Sequence, residues 1–357
     1  MTTATHRLAV GTYTQHLAHV AGHGLGIHLI AIDSDGVPHA LGHEGSLANP
    51  SYLCADPTGT RLYAVSERAR DAELGVYALD AGAAAPRLLR RLPLAGADPC
   101  HVSLHAPARR LCISHYGSGE LLCLRLDADG MPAGPAWQYQ ALGSGPERSR
   151  QEAAHLHCAI PAGDGIVACD LGADRVTHHA LDGDGAPRRA YAVTPGAGPR
   201  HAVVNGTRLY VINELDNTLA VHDLAGESAQ ALASVPALPG TNDRKNGAAP
   251  AQGSPLAAAL RLHPGGRWLY ASVRGADTIV CWPLAKDGLP GAPRWYDAGG
   301  RTPRDIALTP DGRFLLAGLQ DDDRIVVHAV GAEGELRAGA SLDLASPACL
   351  CPLPASR

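Results

Sequence analysis

No stretch of the 357 residues approaches the roughly 18 apolar residues of a membrane span. The opening Met1-Thr-Thr-Ala-Thr-His-Arg-Leu8 lacks the basic start and apolar core of a secretory signal. Also missing are a Cys-x-x-Cys pair, a Gly-x-Ser-x-Gly elbow, a Walker loop and zinc-finger spacing. None of the four Trp precedes Asp, which argues against a WD-type scaffold. Net charge is -5, so no basic surface favours nucleic acid or an anionic membrane. These absences point to a globular, cytoplasmic protein with neither nucleic acid nor membrane as partner; they leave open whether it is a monomer or a dimer. Helical periodicity is almost absent as well.

What is present is repetition. The stretch Gly198-Pro-Arg-His-Ala-Val-Val-Asn-Gly-Thr-Arg-Leu-Tyr-Val-Ile-Asn-Glu-Leu-Asp216 holds two apolar runs around Asn205-Gly206. That pattern predicts a β-hairpin, because the tight turn needs a residue tolerant of positive φ. The hairpin brings Arg200 and His201 at its entry close to Asn213 and Glu214 at its exit. The same apolar pair recurs seven times, with second runs opening near Leu8, Leu62, Leu111, Ile166, Leu209, Leu269 and Leu315. A third run and a weaker fourth follow each. Four short strands per unit, every 45 to 60 residues or so, predict an all-β, seven-bladed β-propeller spanning 1–357 as one domain.

The first unit lacks an inner strand, and an extra run, Ser346–Leu353, follows the last. The C-terminal strand therefore completes the N-terminal blade and closes the ring, pairing two edges otherwise exposed. Nine cysteines, mostly inside apolar runs, read as small hydrophobes in a reducing compartment. Two long connections, Gly143–Ala154 and Pro236–Pro255, both enter inner strands and so lie over one face. The first, with Arg148, Arg150 and Gln151, reads as functional.

Antiparallel geometry puts inner-strand starts and second-strand ends on one face. Aligned by their turns, the inner strands place Tyr52, His101, His157, His201, Ala259, Asp305 and Cys349 at one level. Just before them stand Ser51, Cys100, Leu156, Arg200, Ala258, Arg304 and Ala348. Second strands end on Thr12, Glu67, Tyr116, Leu171, Glu214, Arg274 and Gln320. This gathers a polar funnel at the channel mouth, where propellers hold ligands. Clustered Arg200, Arg274 and Arg304 are unfavourable without an anion to meet. In His155-Leu-His157, alternate residues of a strand share a side. They form either a shared ligand or metal site or a strand-edge cap; the reading adopted has no metal and no cofactor. His178, His179 and His328 fall in third strands and read as surface residues. Gly22-His-Gly-Leu-Gly26 reads as a blade turn rather than a phosphate loop.

At these residues the chain resembles the seven-bladed propeller lactonases of the 6-phosphogluconolactonase type, whose fold the fungal carboxy-muconate lactonising enzymes share. The matching stretches are Asn49-Pro-Ser-Tyr-Leu, Asp98-Pro-Cys-His-Val, Tyr116-Gly-Ser-Gly, Asp170-Leu-Gly-Ala-Asp-Arg, Gly198-Pro-Arg-His, Asn213-Glu-Leu-Asp and Thr302-Pro-Arg-Asp. The resemblance implies that His155, Arg200, Glu214 and Arg274 line an active site, with His101 and Arg150 nearby. The chain departs from the family pattern at His115, Leu156 and Ala259, and at Ser66, Val273 and Leu319. The expected activity is hydrolysis of a sugar-acid lactone, phosphorylated or not. Glu214 or His155 would take a proton from water, and Arg200 and Arg274 would stabilise the oxyanion. His101 or His157 would protonate the ring oxygen, and Arg150 and Arg304 would hold a substrate anion. His201, Asp305, Tyr116 and Gln320 complete the binding surface. The rivals are a lactone isomerase or lactonising enzyme using the same funnel, a metal-dependent lactonase, and a propeller that only binds a partner.

Overall fold

The computed structural model describes residues 4–240 and 254–354. Seven four-stranded antiparallel sheets form the blades, with one two-stranded ribbon beside them. The inner strands are Pro347–Pro352 in blade 1, Pro50–Ala55, Pro99–His105, Leu156–Ala162, Pro199–Asn205, Leu256–Leu262 and Pro303–Leu308. Ala4–Thr12 lies between Pro347–Pro352 and Ile27–Asp33, with Val10 facing Leu350 on one side and His28 on the other. The C-terminal strand thus closes the ring as expected.

Second strands are buried on both faces because each sheet is covered by its neighbours. Leu209, Tyr210, Val211 and Ile212 are all fully buried. Between blades 5 and 6, Tyr210, Ile212 and Val221 pack with Leu260, Leu269 and Trp282. Each such side chain contributes roughly 1.5–3 kcal/mol. Outer strands such as Arg87–Pro93 are largely exposed, hence their weak apolar pattern. In the Gly198–Asp216 hairpin, Asn205 pairs with Arg208, so the turn centres on Gly206-Thr207, one place later than predicted. Gly206 takes the positive φ, 59°.

Every inner strand opens on a register shift, which turns one extra residue toward the channel axis. The residues skipped by the pairing are Ser51, Cys100, His157, Arg200, Arg304 and Ala348, with Ala258 and Ala259 in blade 6. This corrects the alignment of blade 4. Leu156 pairs with Asp170 as Pro199 pairs with Asn213, so His157 is level with Arg200, and Cys158 with His201. Leu156 occupies the proline place, and matching His to His moved that blade by one residue. Blade 1 shifts likewise. Thr12 pairs with Pro347, and Tyr13 donates its N–H to Ser346 as Glu214 does to Gly198. Tyr13, not Thr12, is the counterpart of Glu214.

Third-strand histidines are also corrected. His179 and His328 are buried, and His178 is half-buried. His179 lies against Trp137 and Tyr139 of the preceding blade and reaches the Gly185 carbonyl oxygen at 2.7 Å. Third strands still face a neighbouring blade. The Gly22–Gly26 stretch links the ribbon His16–Leu17/Val20–Ala21 to Ile27–Asp33, as a turn should.

Candidate active site

The bulges and second-strand ends meet in a funnel at one mouth of the channel. Glu214, 2% exposed, is its most enclosed acid. Arg150 donates to Glu214 Oε1 at 2.6 Å, and Arg200 Nε donates to Oε2 at 2.8 Å. Arg274 Nη2 lies 2.9 Å from the same Oε2. Burial alone raises the Glu214 pKa. Arg274, Arg150 and Arg200 outweigh that and hold the carboxyl well below the usual carboxylate range.

Arg150 arrives on the Gly143–Ala154 loop, which a buried glutamine fixes. Gln151 Nε2 donates to Leu171 O and Asp174 Oδ1, both at 2.8 Å. Gln151 Oε1 accepts the Glu147 N–H at 3.0 Å. Arg148 points outward and is exposed. The Pro236–Pro255 connection lies mainly outside the described residues.

Tyr116 and His155 stack face to face at 4.3 Å, and His157 meets Tyr116 edge-on at 5.8 Å. His155 precedes its strand rather than lying in it, so the two histidines flank a tyrosine instead of aligning along a strand. His155 Nδ1–H donates to the Tyr116 carbonyl oxygen at 2.8 Å, a partner that can only accept. His155 Nε2 lies 3.1 Å from the exposed Glu152 carboxylate. Among the described residues no group of three or more side chains is placed to hold a metal ion.

The opposite wall comes from blades 1, 2 and 7. Tyr13 donates its hydroxyl to Glu67 Oε2 at 2.8 Å. The Arg304 guanidinium lies 4.9 Å from the centre of the Tyr13 ring and donates to Gln320 Oε1 at 3.3 Å. His19, on the ribbon turn, stands edge-on to Tyr13, with Nε2 3.6 Å from Glu67 Oε1. Burial first, then the nearby Arg304, lowers the His19 pKa to about 4. Among the described residues Arg304 has no carboxylate within ion-pair distance.

Between the walls is a cavity of about 10 Å³, lined by Glu67, His157, Arg200, His201, Arg304 and Asp305, among others. That is room for about one water molecule. Beneath it, Asp305 pairs with Arg261 at 2.6 Å and accepts the Leu350 N–H at 2.8 Å. His101 lies against Tyr52 and Cys158 and lines the cavity of the opposite mouth, about 350 Å³, with Arg261.

Eleven of the twelve predicted residues therefore meet at or just under the funnel: Glu214, Arg200, Arg274, Arg150, His155, Tyr116, His157, His201, Arg304, Gln320 and Asp305. His101 belongs to the channel waist. Tyr13, His19 and Arg261 were missed, and Glu67 was noticed without a role. Glu67 carried a signal, since it stands in blade 2 where Glu214 stands in blade 5. His19 sits on the two-stranded ribbon of blade 1, so the repeat gave no hint of it.

Seven blades around a mouth lined by acids, guanidiniums and imidazoles define a propeller with a small-molecule site rather than a flat protein-docking face. The model of the lactonase family, described as a 7-bladed beta-propeller, matches residues 7–352, and the chain belongs to that family. The 6-phosphogluconolactonase of Bacillus subtilis strain 168 is 28% identical over 331 residues, 89% of each chain. That of Formosa agariphila is 28% identical over 323 residues, 85% of this chain and 88% of its own. The periplasmic gluconolactonase of Pseudomonas aeruginosa superposes with a TM-score of 0.85 at 25% identity, covering 98% of this chain and 99% of that one.

Proposed function

We propose that this protein hydrolyses a sugar-acid lactone to the free hydroxy acid. The observation that carries the reading is the Glu214 carboxylate held by Arg150, Arg200 and Arg274 at the funnel mouth of a lactonase-family propeller. A lactone carbonyl gains negative charge on its oxygen as water adds, and preorganised guanidiniums stabilise that charge in a site sheltered from water. Arg200 and Arg274 take this role. Glu214 is the positioning group that holds them, and three cations make it a poor proton acceptor. His155, fixed by the Tyr116 carbonyl oxygen, delivers the proton that the departing ring oxygen needs. Arg304 binds an anionic substituent of the substrate, because its charge has no carboxylate partner among the described residues.

The nine cysteines are all free thiols, which supports a reducing, cytoplasmic setting. No helix among the described residues is long and apolar enough to cross a membrane.

A panel of aldonolactones and phosphogluconolactone, scored by acid release, tests the reading. Arg200→Ala should lower kcat by about 10²–10³ on whichever lactone is opened. No acid from any lactone, or wild-type turnover in Arg200→Ala, would refute it. A second lactone as product, instead of acid, would assign an isomerase.

A further inference from the structure

Two acids stand at equivalent places on facing walls of the funnel. Glu67 follows the strand Arg61–Ser66 and donates its N–H to Asn49 O, as Glu214 follows Arg208–Asn213 and donates to Gly198 O. Their surroundings differ. Glu214 touches three guanidiniums, and Asp305 below touches Arg261. Glu67, 7% exposed, touches no guanidinium among the described residues. Its Oε2 is occupied by the Tyr13 hydroxyl, while Oε1 has only His19 Nε2 at 3.6 Å, beyond hydrogen-bond reach. Glu67 also lines the cavity that has room for about one water, with Arg200 and Arg304 on the same walls.

A general base must reach the water it activates, and its lone pair must not already be committed to a cation. Among the described acids that line this cavity, Glu67 alone meets both conditions. We propose that Glu67 is the general base of the lactone hydrolysis, taking a proton from a water seated between it, Arg200 and His157. This rests on the lactone-hydrolysis reading and names the residue that reading lacks.

The step balances as follows. The water oxygen bonds to the lactone carbonyl carbon while one of its protons passes to Glu67 Oε1. The oxyanion forms against Arg200 and Arg274. Collapse breaks the bond from that carbon to the ring oxygen, which leaves with the proton from His155. Solvent returns the proton from Glu67 to His155, and the hydroxy acid departs.

The test uses the full chain and a lactone that the wild type opens. Glu67→Gln keeps the shape and should lower kcat by about 10²–10⁴ with KM changed only a few-fold. Glu67→Ala should be equally slow and should recover part of its rate on addition of formate, a small carboxylate able to stand in the emptied place. A purely structural role would not respond to formate. Glu67→Gln with kcat within about threefold of wild type overturns the assignment, as does loss of rate in both variants with no response to formate. A wild type that releases acid while Glu67→Gln does so equally well sinks the base alone. A wild type that opens no lactone sinks the underlying reading.

Discussion

Glu214 and Glu67 share a backbone position and differ in everything around it. Blades 4, 5 and 6 supply the first with Arg150, Arg200 and Arg274; blade 1 supplies the second with Tyr13 and His19. The repeat fixes where a side chain points, and the neighbouring blades decide its chemistry. One wall is a fixed electrostatic clamp, and the other keeps a carboxylate oxygen available for a proton.

The clearest way to break the comparison is to neutralise each acid in turn. Glu214→Gln leaves three guanidiniums around a neutral amide, and removing one member of a buried ion cluster costs about 3–5 kcal/mol. Glu67→Gln loses one hydrogen bond to a carboxylate, about 1.5–3 kcal/mol at most. Urea midpoints at unchanged slope should therefore separate the two variants clearly. Equal midpoints would show that the walls are electrostatically alike.

The walls also part company in acid. Burial lowers the pKa of His115 and His222 to about 4 and of His101 to about 3, so all three are neutral in the fold at neutral pH. The unfolded chain takes up these protons near pH 6.5, so between about 6.5 and 4 it binds more protons than the native state. Stability then rises with pH, is fully present above about 6.5, and is lost as pH falls toward 4. Glu214 runs later. Its depressed carboxyl keeps its contribution until pH falls well below the ordinary carboxylate range. Melting temperature followed from pH 7 to 4 should decline steadily. His115→Asn, at a fully buried site, should flatten that decline. A flat profile in the wild type would contradict it.

A smaller effect tests how Arg150 reaches its wall. Gln151→Ala removes the amide that ties the loop to Leu171 and Asp174, at a cost of about 1–3 kcal/mol. Most of that loss is local. We expect kcat/KM to fall about tenfold while the melting temperature moves by a few degrees. Loss confined to stability would show that Arg150 holds Glu214 without help from the loop.

Much of this was legible beforehand because propeller blades repeat. The second strands announced themselves as fully apolar runs, and the turn motifs set seven frames on one another. What the frames could not show was a one-residue offset. Leu156 filled a place that proline marks in five other blades, so His157 was set one level too deep, and Tyr13 was passed over for Thr12. Asp305 was read as part of the binding surface, and its partner Arg261 was not seen because it comes from further along the inner strand of blade 6, where no funnel residue was sought. His179 and His328 were set on the surface because third strands lie toward the outside of the disc. A ring stacked against a neighbouring blade satisfies burial and hydrogen bonding together.

The finest distinction between the walls is the Tyr13 hydroxyl. Tyr13→Phe keeps the ring that Arg304 and His19 rest on and removes only the 2.8 Å bond to Glu67 Oε2. The loss should be about 0.5–1.5 kcal/mol, as for a single hydrogen bond, and the fold should persist. If Glu67 is the base, the bond matters chiefly for aim: Oε2 is pinned so that Oε1 faces the cavity. A few-fold fall in kcat with unchanged KM is expected, far less than in Glu67→Gln. A Tyr13→Phe rate as low as that of Glu67→Gln would move the proton transfer from the carboxylate to the phenol. The wall would then act through its tyrosine instead.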